Sequence, residues 1–311
     1  MQTEYERELA KCELEVSSLI RKIRKQKRIS QEVLYQGLCT KKTYQRFEQG
    51  EGIGDELLAE CILSRLHVQY RLLEVVLSDE DFWLKECRYK IGQQLAKGNL
   101  RQAEKLLAAY EKKAKDTIAN RQYIQWKRAE ILQEKDKEMA GKLALQALEL
   151  TLPLEEVEKR FKSKVILSEP EVALYLLYRK CDSKLSLKEC EGLVKRLNQM
   201  YVKECVGLLC YYELAFIYAK ELLKAGRYEE CRENCTRRIG ELDNGNRSEY
   251  LPELQFIGAV AGMKKASEGD KKELRQEIKT AYYTAMAFAK KDMAMAMKNY
   301  CQEEFGWHIT G

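Results

Sequence analysis

Residues 30–50 constrain this chain more than any other stretch. Ser30 can cap a short helix over Gln31–Gln36, which Gly37 ends. Thr40 can cap a second over Lys41–Gln49, stopped by Gly50. Two short helices joined by the tight turn Gly37-Leu38-Cys39 make a helix-turn-helix corner. The second helix opens on Lys41 and Lys42 and carries Gln45 and Arg46, the layout of a helix that enters a DNA major groove. Around this corner, Val16–Gln26 has apolar residues at 16, 19, 20 and 23, which is helical spacing. Asp55 can cap a fourth helix with Leu57, Leu58, Cys61, Ile62 and Leu66, and a fifth is expected over Val68–Leu77. Five helices in about 75 residues make a small domain.

Three prolines in 311 residues and no alternating β-branched run predict an all-α protein. A 45% apolar content supports a sizeable core, and the length allows two domains. Between Ser17 and Phe47 stand nine Lys/Arg and one acid, Glu32, a local charge of +8. The whole chain carries +6, so the remainder sums to −2. A compact basic segment on a near-neutral body is an electrostatic footprint for phosphate. Residues 1–15 are acidic and polar, so no secretory signal is expected, and no apolar run reaches membrane-spanning length. Eleven cysteines without a Cys-x-x-Cys suit a reducing, cytoplasmic compartment, with thiols as small core hydrophobes. His67 and His308 are the only histidines and lie far apart, so neither a metal site nor a cofactor is expected.

Beyond Ser78-Asp79-Glu80-Asp81, which reads as a hinge or cap, a looser helical periodicity begins. Ala96–Ala103 and Leu223–Cys231 each read as a helix–Gly–helix corner. In both, a large apolar residue follows the glycine by two and a small one by five, where two antiparallel helices would touch. Further helix pairs are predicted at 118–150, 171–200 and 251–290, with a last helix over 291–304. Pro153, Pro170 and Pro252 each fall between predicted helices. Gly98 and Gly226 are 128 residues apart, not a multiple of 34, so the repeats are degenerate. The expected architecture is a helix-turn-helix domain over 1–75 and a right-handed α-solenoid of helical hairpins over 76–311.

A helix in the major groove reads bases from its first turn and one face beyond it. Lys41, Lys42 and Gln45 stand there, and Arg46, four residues after Lys42, points to the same side. Lys and Arg pair with guanine O6/N7, and Gln pairs with adenine N6/N7. Tyr44 and Phe47 occupy the opposite face and are expected in the core. Gln31, at a helix N-terminus, is placed to bond a phosphate. Arg28, with Arg21, Lys25 and Lys27, would flank the same groove.

These residues carry a resemblance. Ser-Gln-Glu-x-Leu-x-x-Gly-Leu-Cys-Thr-x-x-Thr-Tyr-x-Arg-Phe-Glu-x-Gly resembles the lambda-repressor-like (XRE-type) helix-turn-helix. It is most similar to the variant, one residue shorter in the turn, of the Rgg/PlcR-type (RNPP-like) peptide-sensing transcriptional regulators. The motif covers roughly residues 16–66. In that family, tetratricopeptide-like (TPR-like) repeats follow the DNA-binding domain, and the likeness over 78–311 is architectural only. The resemblance implies that Gln31 and Thr40 position the DNA backbone and that Lys41, Lys42 and Arg46, with Gln45 beside them, read bases. It also implies that Arg24 pairs with Glu48 as a structural tie, which removes Arg24 from the DNA list. The loop Glu51-Gly52-Ile53-Gly54 departs from relatives with Lys or Arg there, so no DNA contact is carried over to it.

The same resemblance implies a double-stranded DNA operator, a short signalling peptide and a homodimer as partners. In the concave face of stacked hairpins, Asn, Gln and Arg side chains clamp peptide backbone. The candidates are Asn198, Tyr201, Tyr212, Arg227 and Asn234, with Gln199, Tyr211, Glu213, Arg237 and Arg238 nearby. The Met- and Ala-rich run over 285–297 reads as a close-packed helix seam, against the alternative of a malleable partner surface. Catalysis has no support: no phosphate-cradling loop, nucleophile elbow or Cys–His pairing is legible. A second class remains open, a helical-repeat scaffold or peptide-regulated protein that controls protein partners, with DNA binding secondary.

Overall fold

The structure, a computed structural model, describes residues 16–51, 55–66, 79–163, 167–182, 185–201, 209–245 and 250–309. Its secondary structure among those residues is helical throughout. The helix expected over Val68–Leu77 and the loop residues 52–54 lie outside the described residues. Two compact units divide the chain, Met1–Lys184 and Leu185–Gly311.

The first unit opens with α1 (16–26), α2 (Gln31–Tyr35), α3 (Lys41–Glu48) and α4 (Glu56–Arg65). All three expected caps form. The Ser30 hydroxyl accepts from Val33 N–H at 3.4 Å, Thr40 from Thr43 N–H at 3.1 Å and Asp55 from Leu57 N–H at 3.0 Å. Each satisfies a helix N–H that has no partner inside its own helix. Six further helices complete the unit: α5 (Asp79–Ala96), α6 (Leu100–Lys113), α7 (Ile118–Leu132), α8 (Lys137–Glu149), α9 (Leu154–Ser163) and α10 (Glu169–Asp182). Helices α5 to α8 pack in sequence, and α10 passes over α9 to pack on α8.

One core runs through this unit. Ile20, Leu34, Tyr44, Phe47, Ile62 and Leu66 of the first four helices join Leu84, Ile91, Leu107, Tyr110 and Ile124 of α5 to α7. The residues on either side of position 75 therefore bury their apolar surface together.

The second unit comprises α11 (Leu187–Tyr201), α12 (Leu209–Lys224), α13 (Tyr228–Gly245), α14 (Leu251–Lys265), α15 (Lys271–Ala287) and α16 (Lys291–Phe305), each packed on the next. Both predicted glycine corners form, joining α5 to α6 and α12 to α13, with Ala103 and Cys231 fully buried at the helix contacts. The described cysteines carry free thiols, most of them buried, and burial pushes the Cys190 thiol up to about 12.

Three expectations change. The pair predicted at 171–200 falls in two units: α10 packs on α8 in the first and α11 packs on α12 in the second. Helix α9 was not expected: Pro153 stands just before it and starts it rather than spacing its neighbours. Pro170 and Pro252 sit inside the first turns of α10 and α14, where no backbone donor is needed. No described helix is long and apolar enough to cross a membrane.

Candidate nucleic-acid interface

Helix α3 divides into two faces. Tyr44, Phe47 and Glu48 are buried, whereas Lys41, Lys42, Thr43 and Arg46 are exposed and Gln45 is half-buried. The buried face is tied to α1 and α2 through one carboxylate. Glu48 accepts from Arg24 Nε at 2.6 Å and Arg24 Nη2 at 3.0 Å, from the Tyr44 hydroxyl at 2.8 Å and from Gln31 Nε2 at 2.7 Å. Burial opposes the charge on Glu48, but the hydrogen bonds from Arg24, Tyr44 and Gln31 outweigh it and hold the carboxyl below its ordinary range. The Arg24–Glu48 tie implied by the resemblance is present, and it orients the basic face of α3 outward.

Each expected contact residue can now be placed. Gln31 spends one amide hydrogen on Glu48, and its second is given no hydrogen bond among the described residues. The Thr40 hydroxyl is occupied by its cap, lying 2.8 Å from the Thr43 hydroxyl as well. Lys27 Nζ donates to Leu66 O at 2.9 Å, where a cation meets the carbonyl end of α4.

Arg28 is exposed with φ +54°, at the left-handed position that ends α1: Arg28 N–H donates to Lys25 O and Ile29 N–H to Arg24 O. Glycine ordinarily fills that position because a Cβ is strained there. Arg28→Gly should therefore raise stability by about 0.5–1 kcal/mol, and on the DNA-binding reading proposed below it should also weaken DNA binding. Urea titration and anisotropy on one sample check both signs, and a stabilised variant with unchanged DNA affinity removes Arg28 from the interface.

The basic head is clamped onto α7, α8 and α10. Gly37 has φ +75° and lies so close to the end of α8 that a Cβ would fall 1.6 Å from Thr151 O. Arg65, fully buried, donates through Nη1 to Val33 O, Leu34 O and Gln36 O at 3.2, 2.9 and 2.7 Å, collecting the orphan carbonyls of α2. Its Nη2 pairs with the buried Glu171 of α10, whose other oxygen accepts from Ser168 N–H at 2.7 Å. Across the head, Asp55 Oδ2 accepts from Thr117 Oγ1 at 2.6 Å and Asn120 Nδ2 at 3.1 Å. Sequence reading assigned Asp55 a cap and left its second oxygen unused. It missed Arg65, whose signal was a lone charge on the face that Leu58 and Ile62 define. Glu171 carried no such signal.

In the second unit, the peptide-clamp candidates scatter. The side chains of Asn198 and Tyr201 lie outside the described residues. Tyr212 is 1% and Asn234 2% exposed, so both are buried, and Asn234 Nδ2 donates to Ala215 O at 3.2 Å in the packing of α13 on α12. Arg227, half-buried, bonds Glu230 at 2.7 Å. Arg238 is buried over the Tyr211 ring and paired with Glu241 at 2.7 Å. A cleft of about 390 Å³ opens instead on α13, α14 and α15, lined by Arg232, Cys235, Ile239, Gln255, Gly258 and Thr280 among others. Gln255 Oε1 is buried there without a hydrogen-bond partner among the described residues. None of these lining residues carried a motif.

The chain is thus an all-α protein with a helix-turn-helix domain followed by stacked helical hairpins. No family model matches the chain, and no curated protein does. Among solved structures it is similar to PlcR from Bacillus thuringiensis, determined in complex with the peptide PapR7 and DNA, with a TM-score of 0.53 at 16% identity over 92% of this chain and 99% of PlcR. The apo forms of ComR from S. thermophilus and of the competence regulator ComR from Streptococcus vestibularis each give a TM-score of 0.48, at 15% and 16% identity. They cover 92% and 93% of this chain and 99% and 98% of their own. At such identity the likeness to PlcR is one of fold, a helix-turn-helix domain followed by a TPR-like helical domain.

Proposed function

We propose that this protein is a DNA-binding transcription regulator that reads a double-stranded operator through α3 and is controlled by a short signalling peptide. The observation that carries the reading is the two-faced α3: a Glu48-centred network buries one side and turns Lys41, Lys42 and Arg46 to solvent, with Gln45 half-buried beside them. Lys41, Lys42 and Arg46 would take base edges, with Gln45 beside them. Gln31, Thr40 and Arg28 would hold phosphates, Thr40 through its backbone because its hydroxyl is already occupied. Residues 1–75 would serve DNA, and 76–311 would dimerise and bind the peptide. Two copies would read half-sites about one helical turn, or a multiple of it, apart. The α13–α15 cleft offers the peptide a place, and the peptide would act by its unequal affinity for two arrangements of the dimer.

Exposed Tyr283, Met286, Phe288 and Met295 on and between α15 and α16 favour a protein–protein surface there. That surface suits the homodimer, and it also keeps open the reading of a scaffold for protein partners.

Binding-site selection from a randomised duplex pool decides between them. A recovered consensus whose affinity falls linearly on a log–log salt plot supports the regulator, and failure to enrich any sequence favours the scaffold. On the selected site, Lys42→Ala should cost roughly 1–3 kcal/mol, concentrated at one base position, by anisotropy titration. Unchanged affinity would sink the assignment of Lys42.

A further inference from the structure

The C-terminal end of α3 is a Schellman turn. Gly50, at φ +81°, donates its N–H to Phe47 O at 3.0 Å, and Glu51 N–H reaches back to Arg46 O at 3.0 Å. This backbone pattern sets the residue after the glycine against the residue five before it, a place where apolar side chains ordinarily touch. Here the pair is charged, with Arg46 Nε donating to Glu51 Oε2 at 3.3 Å. The turn, more than the reach of two flexible side chains, brings Glu51 to Arg46.

We propose that Glu51 is a specificity-determining residue of the α3 face, holding Arg46 by its Nε so that the terminal fork of the guanidinium is presented to a base. The inference rests on the reading that α3 enters the major groove. Holding Arg at Nε leaves both terminal nitrogens for the bidentate bond to guanine O6 and N7. Those nitrogens take no other hydrogen bond among the described residues. Glu51 also places a negative charge beside Arg46 on the basic face of α3. That charge disfavours close approach to phosphate unless Arg46 finds its acceptors, so a wrong base pair is penalised rather than merely unrewarded. Both side chains are more than half exposed, at 59% and 57%, and exposed pairs contribute little to stability. A substitution at Glu51 therefore reports on DNA reading and not on folding.

The experiment uses the full chain and the selected duplex, with every single-base-pair variant measured by anisotropy for wild type, Arg46→Ala, Glu51→Gln and the double variant. Arg46→Ala is expected to make one base pair indifferent. Glu51→Gln is expected to reduce discrimination at that same base pair by about three- to tenfold, with tighter binding to random-sequence DNA. Discrimination elsewhere should be unchanged, and the double variant should match Arg46→Ala. Full discrimination in Glu51→Gln at the base pair that Arg46→Ala flattens overturns the role of Glu51 alone. A uniform loss at every position in Glu51→Gln overturns it too. If Arg46→Ala flattens no position, base reading by Arg46 falls, and the role of Glu51 falls with it.

Discussion

Glu171→Ala should destabilise the protein by about 3–5 kcal/mol at neutral pH, because it leaves Arg65 buried without its counter-charge. Both side chains of the pair have no exposed surface, and Arg65 is also the donor that closes the carbonyl end of α2. The isosteric Glu171→Gln tests the charge alone. Burial disfavours the Glu171 carboxylate, but the Arg65 guanidinium and the Ser168 N–H outweigh it and hold the carboxyl below its ordinary range. A group depressed on folding contributes stability above its unfolded value and loses it as pH falls through the folded one. Wild type should therefore weaken from about pH 5 downward, and Glu171→Gln should flatten that slope without abolishing it, since Glu48 is depressed in the same sense. Urea midpoints at pH 7 and pH 4 read both effects. A Glu171→Ala variant within about 1 kcal/mol of wild type would show that the pair does not hold α4 to α10.

The second large effect falls in the turn itself. Gly37→Ala should cost about 3 kcal/mol or more, from two causes acting at one atom. The new Cβ is strained at φ +75°, and it would collide with the Thr151 carbonyl, which belongs to backbone and cannot rotate away. Gly98 separates the causes, because its φ is +71° and a Cβ there would meet nothing within 4 Å; Gly98→Ala should cost less, about 1 kcal/mol. Equal urea midpoints for the two variants would remove the contact with Thr151 from the account.

Legibility in the sequence followed the range of the interactions. Caps at Ser30, Thr40 and Asp55, the turns at Gly37 and Gly50, and the core side of α3 were all read correctly, because each depends on partners within a few residues. The small residues Ala103 and Cys231 were also read from spacing, since a helix contact needs a small side chain wherever its partner comes from. Asn234 and Tyr212 stood out for their polarity, yet both are buried, and Asn234 lies inside the contact of α12 with α13, because the register of packed helices is set by contacts that no local pattern records. Helix α9 escaped notice because it is short, polar on one side and bracketed by proline.

The sequence by itself determined the helical class, the helix-turn-helix corner and which side of α3 is wet, because periodicity and capping act along the chain. Only the tertiary structure decided that Arg65, Gly37 and Asp55 bind the head to α7, α8 and α10. The partners Thr117, Thr151 and Glu171 stand some 60 to 115 residues away in sequence and meet them only once the core has closed. The Glu51–Arg46 bond is of the local kind, since the turn at Gly50 that brings the two side chains together spans only five residues.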